Sequence, residues 1–150
     1  MASEDKIREG AQPFLESGEE VLAAFVARPR GWTQKMAGAR ALGDHQVAKA
    51  GEAASNVGFQ LGSPMALAIT QRRLLSLSMG AQAGMGIGGG VKELLSAVPL
   101  SEVDSIKVKR LLIGKVVELS VRGQSFKLEV GAGANANGVA DAFERSRGTA

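Results

Sequence analysis

The chain has 150 residues, 45% of them hydrophobic and 22% charged, a balance that suits one domain with a proper core and excludes wholesale disorder. A net charge of +3 with 4% aromatic residues argues against nucleic acid, which calls for basic patches and stacking platforms. No cysteine is present, which rules out a disulfide, a thiolate nucleophile and a cysteine-based zinc site.

The opening stretch, MASEDKIREG, is charged and lacks the apolar centre of a secretory signal. No apolar run approaches the ~18 residues of a membrane span, so a soluble cytoplasmic protein is expected. Ser3 reads as a helix N-cap with Asp5 in the first turn. Ile7, Ala11 and Phe14 share a helical face, and Pro13 should end or kink the helix near Gln12. The apolar run in EEVLAAFVARP then predicts a strand over residues 20–28. Residues 29–63 change character, being rich in Ala and Gly with few large apolar side chains. A weak helix over 33–56 is the most this composition supports, because Gly38, Gly43 and Gly51 each cost about 1 kcal/mol relative to alanine. The segment is expected to be a mobile or loosely docked insertion, not a second domain.

From Met65 the pattern becomes that of strands. In MALAITQRRLLSLS, a three-residue loop Gln71-Arg72-Arg73 would set Ile69 against Leu75 and Leu67 against Leu77, large residues together on one face. A two-residue loop sets Leu67 against Ser76 and is disfavoured on that ground. A second hairpin is clearer. With Arg122-Gly123 as a two-residue turn, Leu119 faces Phe126 and Val117 faces Leu128, while Glu118 meets Lys127 on the other face. Apolar pairs on one side and an opposite-charge pair on the other predict an antiparallel sheet with one buried side. Between the hairpins, Ile106 and Val108 alternate with Lys107 and Lys109. Near the end, Asn135 or Asn137 is a candidate N-cap, and Ala136, Val139, Ala140 and Phe143 form the stripe of an amphipathic helix.

Residues 79–90, MGAQAGMGIGGG, contain a literal G-x-G-x-x-G at Gly84, Gly86 and Gly89. That motif cradles a phosphate only when it follows a strand and opens a helix of a βαβ unit. Here Pro99 limits any helix after Gly90 to about two turns, short of a parallel crossover, and no Ser or Thr follows Lys92 in the P-loop frame. The glycines are expected to form a flexible β–β connection over 80–90, with no nucleotide or other cofactor.

Taken in order, FLESGEEVLAAFVARP, ALAITQRRLLSLS, AVPLSEVDSIKVKR, FKLEVG and ADAFERSR resemble the bacterial pleckstrin-homology-like domains, related in shape to GRAM domains. The cues are Gly-Glu-Glu before the first strand, Ile-Thr-x-x-Arg-Leu in the first hairpin and Pro-Leu-Ser-x-Val entering a strand, spanning residues 14–28 and 64–147. The resemblance implies a mainly β single domain over 1–150. It would be an antiparallel barrel of about seven strands capped by a C-terminal helix, with a short N-terminal helix and the Ala/Gly-rich insertion as additions. The long 29–63 insertion and the extended glycine loop depart from the family pattern. The resemblance implies no catalytic residues. Eukaryotic relatives bind phosphoinositides through basic residues of the first inter-strand loop, where this chain has Arg28, Arg30, Lys35 and Arg40.

Candidate chemistry is sparse. His45 is the only histidine, and it sits beside Asp44 without a paired nucleophile. With one His, no Cys and scattered carboxylates, no metal site is expected. Glu19-Glu20 and Glu102/Asp104 read as solvated charges flanking strands. Lys107, Lys109, Arg110 and Lys115 form the densest basic cluster, readable as protection of an edge strand or as a contact for an acidic partner or anionic surface. Trp32, between Arg30 and Lys35, suits either a headgroup contact or a pin for the insertion. The leading expectation is a non-enzymatic interaction or scaffolding domain that binds a protein partner or itself as a homo-oligomer. A peripheral binder of anionic lipid using Arg28, Arg30, Trp32, Lys35 and the basic cluster is the alternative. An enzyme using the glycine loop comes last.

Overall fold

A computed structural model describes residues 2–29, 48–49, 51–61, 65–79, 90–110, 114–130 and 135–148. Helix α1 (Ala2–Ala11) is followed by strands β1 (Val21–Pro29), β2 (Met65–Thr70), β3 (Arg73–Met79), β4 (Val91–Pro99), β5 (Val103–Arg110), β6 (Lys115–Val121) and β7 (Gln124–Val130), and by helix α2 (Ala136–Gly148). The strands make one seven-stranded sheet in the order β4-β3-β2-β1-β7-β6-β5, antiparallel at every pairing. The expected strand number and both terminal helices are present, and closure is not. Strands β4 and β5 are the two ends of the sheet. A 3-10 turn at Leu100–Glu102 follows Pro99, and the Leu100 N–H donates to the Arg72 carbonyl at 3.0 Å. The chain is thereby drawn toward the β2–β3 turn before β5 begins, so β5 does not continue alongside β4.

The β6–β7 hairpin has the expected register: Leu119 opposes Phe126, Val117 opposes Leu128 and Glu118 opposes Lys127. Its turn needs positive φ at both central residues, and Arg122 (φ 49°) and Gly123 (φ 85°) supply it. Arginine tolerates this position because its groups are bound from several sides. Its guanidinium Nε donates to Glu102, Nη1 donates to the Val57 carbonyl at 2.6 Å, and its N–H donates to the Glu102 carbonyl at 3.1 Å.

The β2–β3 hairpin corrects the sequence reading. Ile69 opposes Leu74, Ala68 opposes Leu75 and Leu67 opposes Ser76, the register of the two-residue loop Gln71-Arg72. The Thr70 hydroxyl accepts from the Arg72 N–H at 3.1 Å and the Arg73 N–H at 2.9 Å, stabilising this tight turn without glycine. The large-with-large criterion failed because both faces are buried here. Every residue of β2 is buried, so leucines are needed on both sides. Ser76, although fully buried, shares a 2.7 Å hydrogen bond with Ser96. Two irregularities in the β3–β4 pairing, between Ser76/Leu77 and Ser78/Met79, bring Val91, Leu94 and Ala97 of β4 together on the α1 side.

Two cores flank the sheet. The inner one gathers Phe25, Leu67, Ile69, Leu119, Phe126 and Leu128 under Val139 and Phe143 of α2. The outer one packs Ile7 and Ala11 of α1 on Ala24, Ala66, Ala68, Leu75 and Leu77. Ser3, expected as a cap, lies inside α1, whereas Asn135 caps α2: its Oδ1 accepts from the Gly138 N–H at 3.1 Å. The last part of the insertion is not loosely docked. Residues 51–55 are helical, and Ala54, Val57 and Phe59 are buried in the inner core, with Phe59 5.6 Å from Phe126 between ring centroids.

Candidate functional site

The strand registers decide which charged residues meet. Reading across β5, β6 and β7, Lys107 opposes Glu118 and Glu118 opposes Lys127. One step along, Lys109 opposes Val116, Val116 opposes Glu129, and Glu129 opposes Arg28 of β1. These residues project from the face opposite Val117, Leu119, Phe126 and Leu128, so the outer face of β5–β7 is a grid of alternating charge. Lys107, Lys109 and Lys127 are exposed, while Arg28, Glu118 and Glu129 are half-buried. The sequence reading placed Lys107, Lys109, Arg110 and Lys115 in one cluster. The structure divides them: Arg110 opposes Lys115 at the hairpin end, and strand alternation puts this pair on the other face from Lys107 and Lys109. Arg30, Trp32, Lys35, Arg40 and His45 lie outside the described residues.

The best-built polar constellation was not anticipated. Glu19 was read as a solvated charge, yet its side chain is fully buried. Arg73 grips it twice, Nε to Oε2 at 3.0 Å and Nη2 to Oε1 at 2.6 Å. The Thr70 hydroxyl donates to Oε2 at 2.6 Å, and the Glu16 N–H donates to Oε1 at 2.9 Å. The Arg73 hydrogen bonds outweigh burial and hold the carboxyl at a pKa of about 2, with Glu16 and Thr70 adding to the effect. A carboxylate so firmly ionised is an anchor and a poor proton shuttle at neutral pH. Arg73 also donates to the Phe14 carbonyl at 3.0 Å, tying the α1–β1 connection to the β2–β3 hairpin. The sequence signal was the Gly-Glu-Glu and Thr-x-x-Arg pair, which becomes readable only when β1 and β2 are placed side by side.

A second carboxylate, Glu4, stands where β7 gives out. β7 pairs with β1 only at Ala27–Pro29, and α1 serves β1 on that side instead. Glu4 Oε2 accepts from the Ala24 N–H at 2.9 Å and from Asn135 Nδ2 at 2.8 Å. Arg8 donates to the Leu22 carbonyl at 2.9 Å and the Val21 carbonyl at 3.3 Å. Burial works against ionisation of Glu4, but the bonds from Asn135 and Ala24, with the charge of Arg8, lower its pKa on balance. Glu102, expected to be solvated, is half-exposed and ion-paired with Arg122, whose hydrogen bond lowers its pKa. Asp104 accepts from the Gly123 N–H at 2.8 Å.

The glycine stretch connects two strands. Met79 of β3 opposes Val91 of β4, so the chain returns antiparallel and no helix opens at Gly90, which removes the downstream half of the dinucleotide motif. Gly84, Gly86 and Gly89 themselves lie outside the described residues. Among the described residues, no three His, Cys, Asp or Glu side chains gather as a metal would require.

No family model matches the chain, and no curated protein does. Among solved structures it is similar to a DUF1696 family protein with a pleckstrin-homology domain from Shewanella loihica PV-4, at 12% identity over 94% of this chain and 93% of that one, with a TM-score of 0.46. It is also similar to a pleckstrin homology domain from Shewanella amazonensis SB2B, at 14% identity over 95% and 86% of the two chains, with a TM-score of 0.47. Both are bacterial pleckstrin-homology proteins. At such identities no residue role passes from them to this chain.

Proposed function

We propose that the chain is a non-enzymatic interaction module of the pleckstrin-homology-like type, which binds a protein partner, a second copy of itself included, in the cytoplasm. The observation that carries this reading is the outer face of β5–β7. It is a rigid, half-solvated grid of lysines and glutamates on a sheet whose other half is covered by α1. The deeply held carboxylates, Glu19 and Glu4, are committed to structural hydrogen bonds, which supports a role other than acid–base catalysis. A surface of alternating charge selects partners by register more than by bulk attraction. The test is light scattering of the full chain over a wide concentration range, with capture from a lysate as a second arm. Wild type is compared with a Lys107→Glu, Lys109→Glu double variant. Concentration-dependent mass, or a specific captured protein, that is lost in the variant is expected. Monomers throughout, with a captured set identical for both proteins, would remove the proposal.

The anionic-lipid reading keeps one supporting observation, the presence of Arg28, Lys107, Lys109 and Lys127 on one face. Glu118 and Glu129 lie between them in register, which weakens attraction to a uniformly negative surface. Among the described residues, no helix is long and apolar enough to cross a membrane. Co-sedimentation with phosphatidylserine vesicles at two salt concentrations separates this reading from the first.

A further inference from the structure

Helix α1 is held to the molecule in an unusual division of labour. Among its described side chains, the fully buried apolar ones are Ile7 and Ala11. Its remaining grip is polar and is placed at the gap where β7 stops. There Glu4 and Arg8 occupy the Ala24 N–H and the Leu22 and Val21 carbonyls, positions a neighbouring strand would otherwise fill. At its other end Gly10 meets β4 so closely that an added Cβ would stand 2.5 Å from the Cβ of Val91. Beyond Gly10 the chain is fixed again, because Arg73 binds both the Phe14 carbonyl and Glu19.

Asn135 connects this helix to the other side of the sheet. Its Oδ1 caps α2 through the Gly138 N–H, and its Nδ2 donates to Glu4. One amide thus joins the outer helix and the inner helix through the gap beside β1.

We propose that α1 is a latch, pivoting at the Arg73 anchor and closed by Glu4, whose release uncovers the apolar face of Ala66, Ala68, Leu75 and Leu77 and loosens the N-terminal turn of α2 through Asn135. The two helices pack on opposite faces of the sheet, and a direct bond between them passes through the gap beside β1. The Glu4–Asn135 hydrogen bond is that connection. Capping by Asn135 depends on its side chain being held in one orientation, and losing Glu4 removes a bond that holds it.

Amide hydrogen exchange on the full chain tests the latch. Glu4→Ala should speed exchange in α1, and at Gly138 and Val139 of α2, by about fivefold, the effect of one lost hydrogen bond. Binding of an apolar dye should rise with it. In an Asn135→Ser background, where serine still caps α2 but is too short to reach Glu4, Glu4→Ala should speed α1 alone. Gly10→Ala, which pushes α1 off Val91 and so draws the intact Glu4 away from Asn135, should reproduce the α2 effect and serves as the second probe if Glu4→Ala misfolds. Unchanged exchange at Gly138 and Val139 in both variants, or an equal change in the Asn135→Ser background, would overturn the proposal.

Discussion

Strands β1–β3 are buried on both faces along most of their length, whereas β5–β7 are covered on one, and the two regions show what each arrangement asks of a sequence. In the first, β2 is buried at all six positions and contains no charge. Its α1-facing residues are Ala66 and Ala68, and the adjacent strand adds Ala24. Small side chains there let the helix approach closely, and Gly10 against Val91 is the extreme case. In the second region Lys107, Lys109 and Lys127 keep the outer face exposed, with Val116 of β6 as its buried exception, and apolar residues alternate with charged ones along β5 and β7. Burial on both sides removes the alternation, and burial on one side writes it into the chain.

If the outer face of the first half is a true core, truncation there should cost as much as truncation of the inner core. Phe126→Ala, which removes a ring packed on Phe59, should lose about 3–5 kcal/mol, and Leu77→Ala about 2–5 kcal/mol. Lys107→Ala, on the exposed face of the edge strand β5, should stay within about 0.5 kcal/mol. Urea unfolding monitored by circular dichroism measures all three. A Leu77→Ala loss as small as that of Lys107→Ala would mean that α1 does not cover this face in solution.

The polar anchor of the first half is the next largest effect. Glu19→Gln leaves Arg73 partly buried without its counter-charge, and a loss of about 3 kcal/mol is expected. The pH dependence has a defined sign. The Glu19 pKa is lowered from 4.5 to about 2 in the folded chain. Its stabilisation is therefore fully present above pH 4.5 and is lost as pH falls through 2. Wild type should lose its advantage over Glu19→Gln across that window, and a difference that persists undiminished at pH 2 would contradict the ion-paired geometry.

The same contrast explains what the sequence disclosed. The β6–β7 register was legible because Glu118 and Lys127 mark the wet face and Arg122-Gly123 mark the turn. The β2–β3 register was misread because, with leucines needed on both faces, matching large residues no longer identifies one side. Thr70 stands in the Ile-Thr-x-x-Arg-Leu cue, but nothing local says that its hydroxyl will take the Arg72 and Arg73 N–H groups and so tighten the turn. Glu19 was misjudged because burying a carboxylate depends on Arg73, 54 residues away. Phe59 was overlooked amid glycine and alanine, although Val57, Phe59 and Leu61 alternate as a docked segment would. The open sheet depends on where the turn after Pro99 is drawn, a tertiary contact to Arg72 that no local pattern encodes. Of the candidate site, the lysines of β5 were legible as a group. The separation of Arg110 and Lys115 from them, onto the other face, required the β5–β6 register.

The smallest effect examines the wet face most closely. Lys107, Glu118 and Lys127 lie side by side across three strands, so Glu118→Lys places three like charges in a row. Directly opposed like charges on a sheet cost roughly 0.5–1 kcal/mol when exposed, and such a penalty shrinks as salt rises. The urea midpoint of Glu118→Lys should therefore fall slightly at low salt and approach wild type in 1 M NaCl, with an unchanged slope. A loss of several kcal/mol that salt does not relieve would mean that the row is desolvated, as it would be beneath a partner or a second copy. Repeating the measurement at two protein concentrations distinguishes these cases, because a face covered by a second copy loses its penalty on dilution whereas a face covered from within the chain does not.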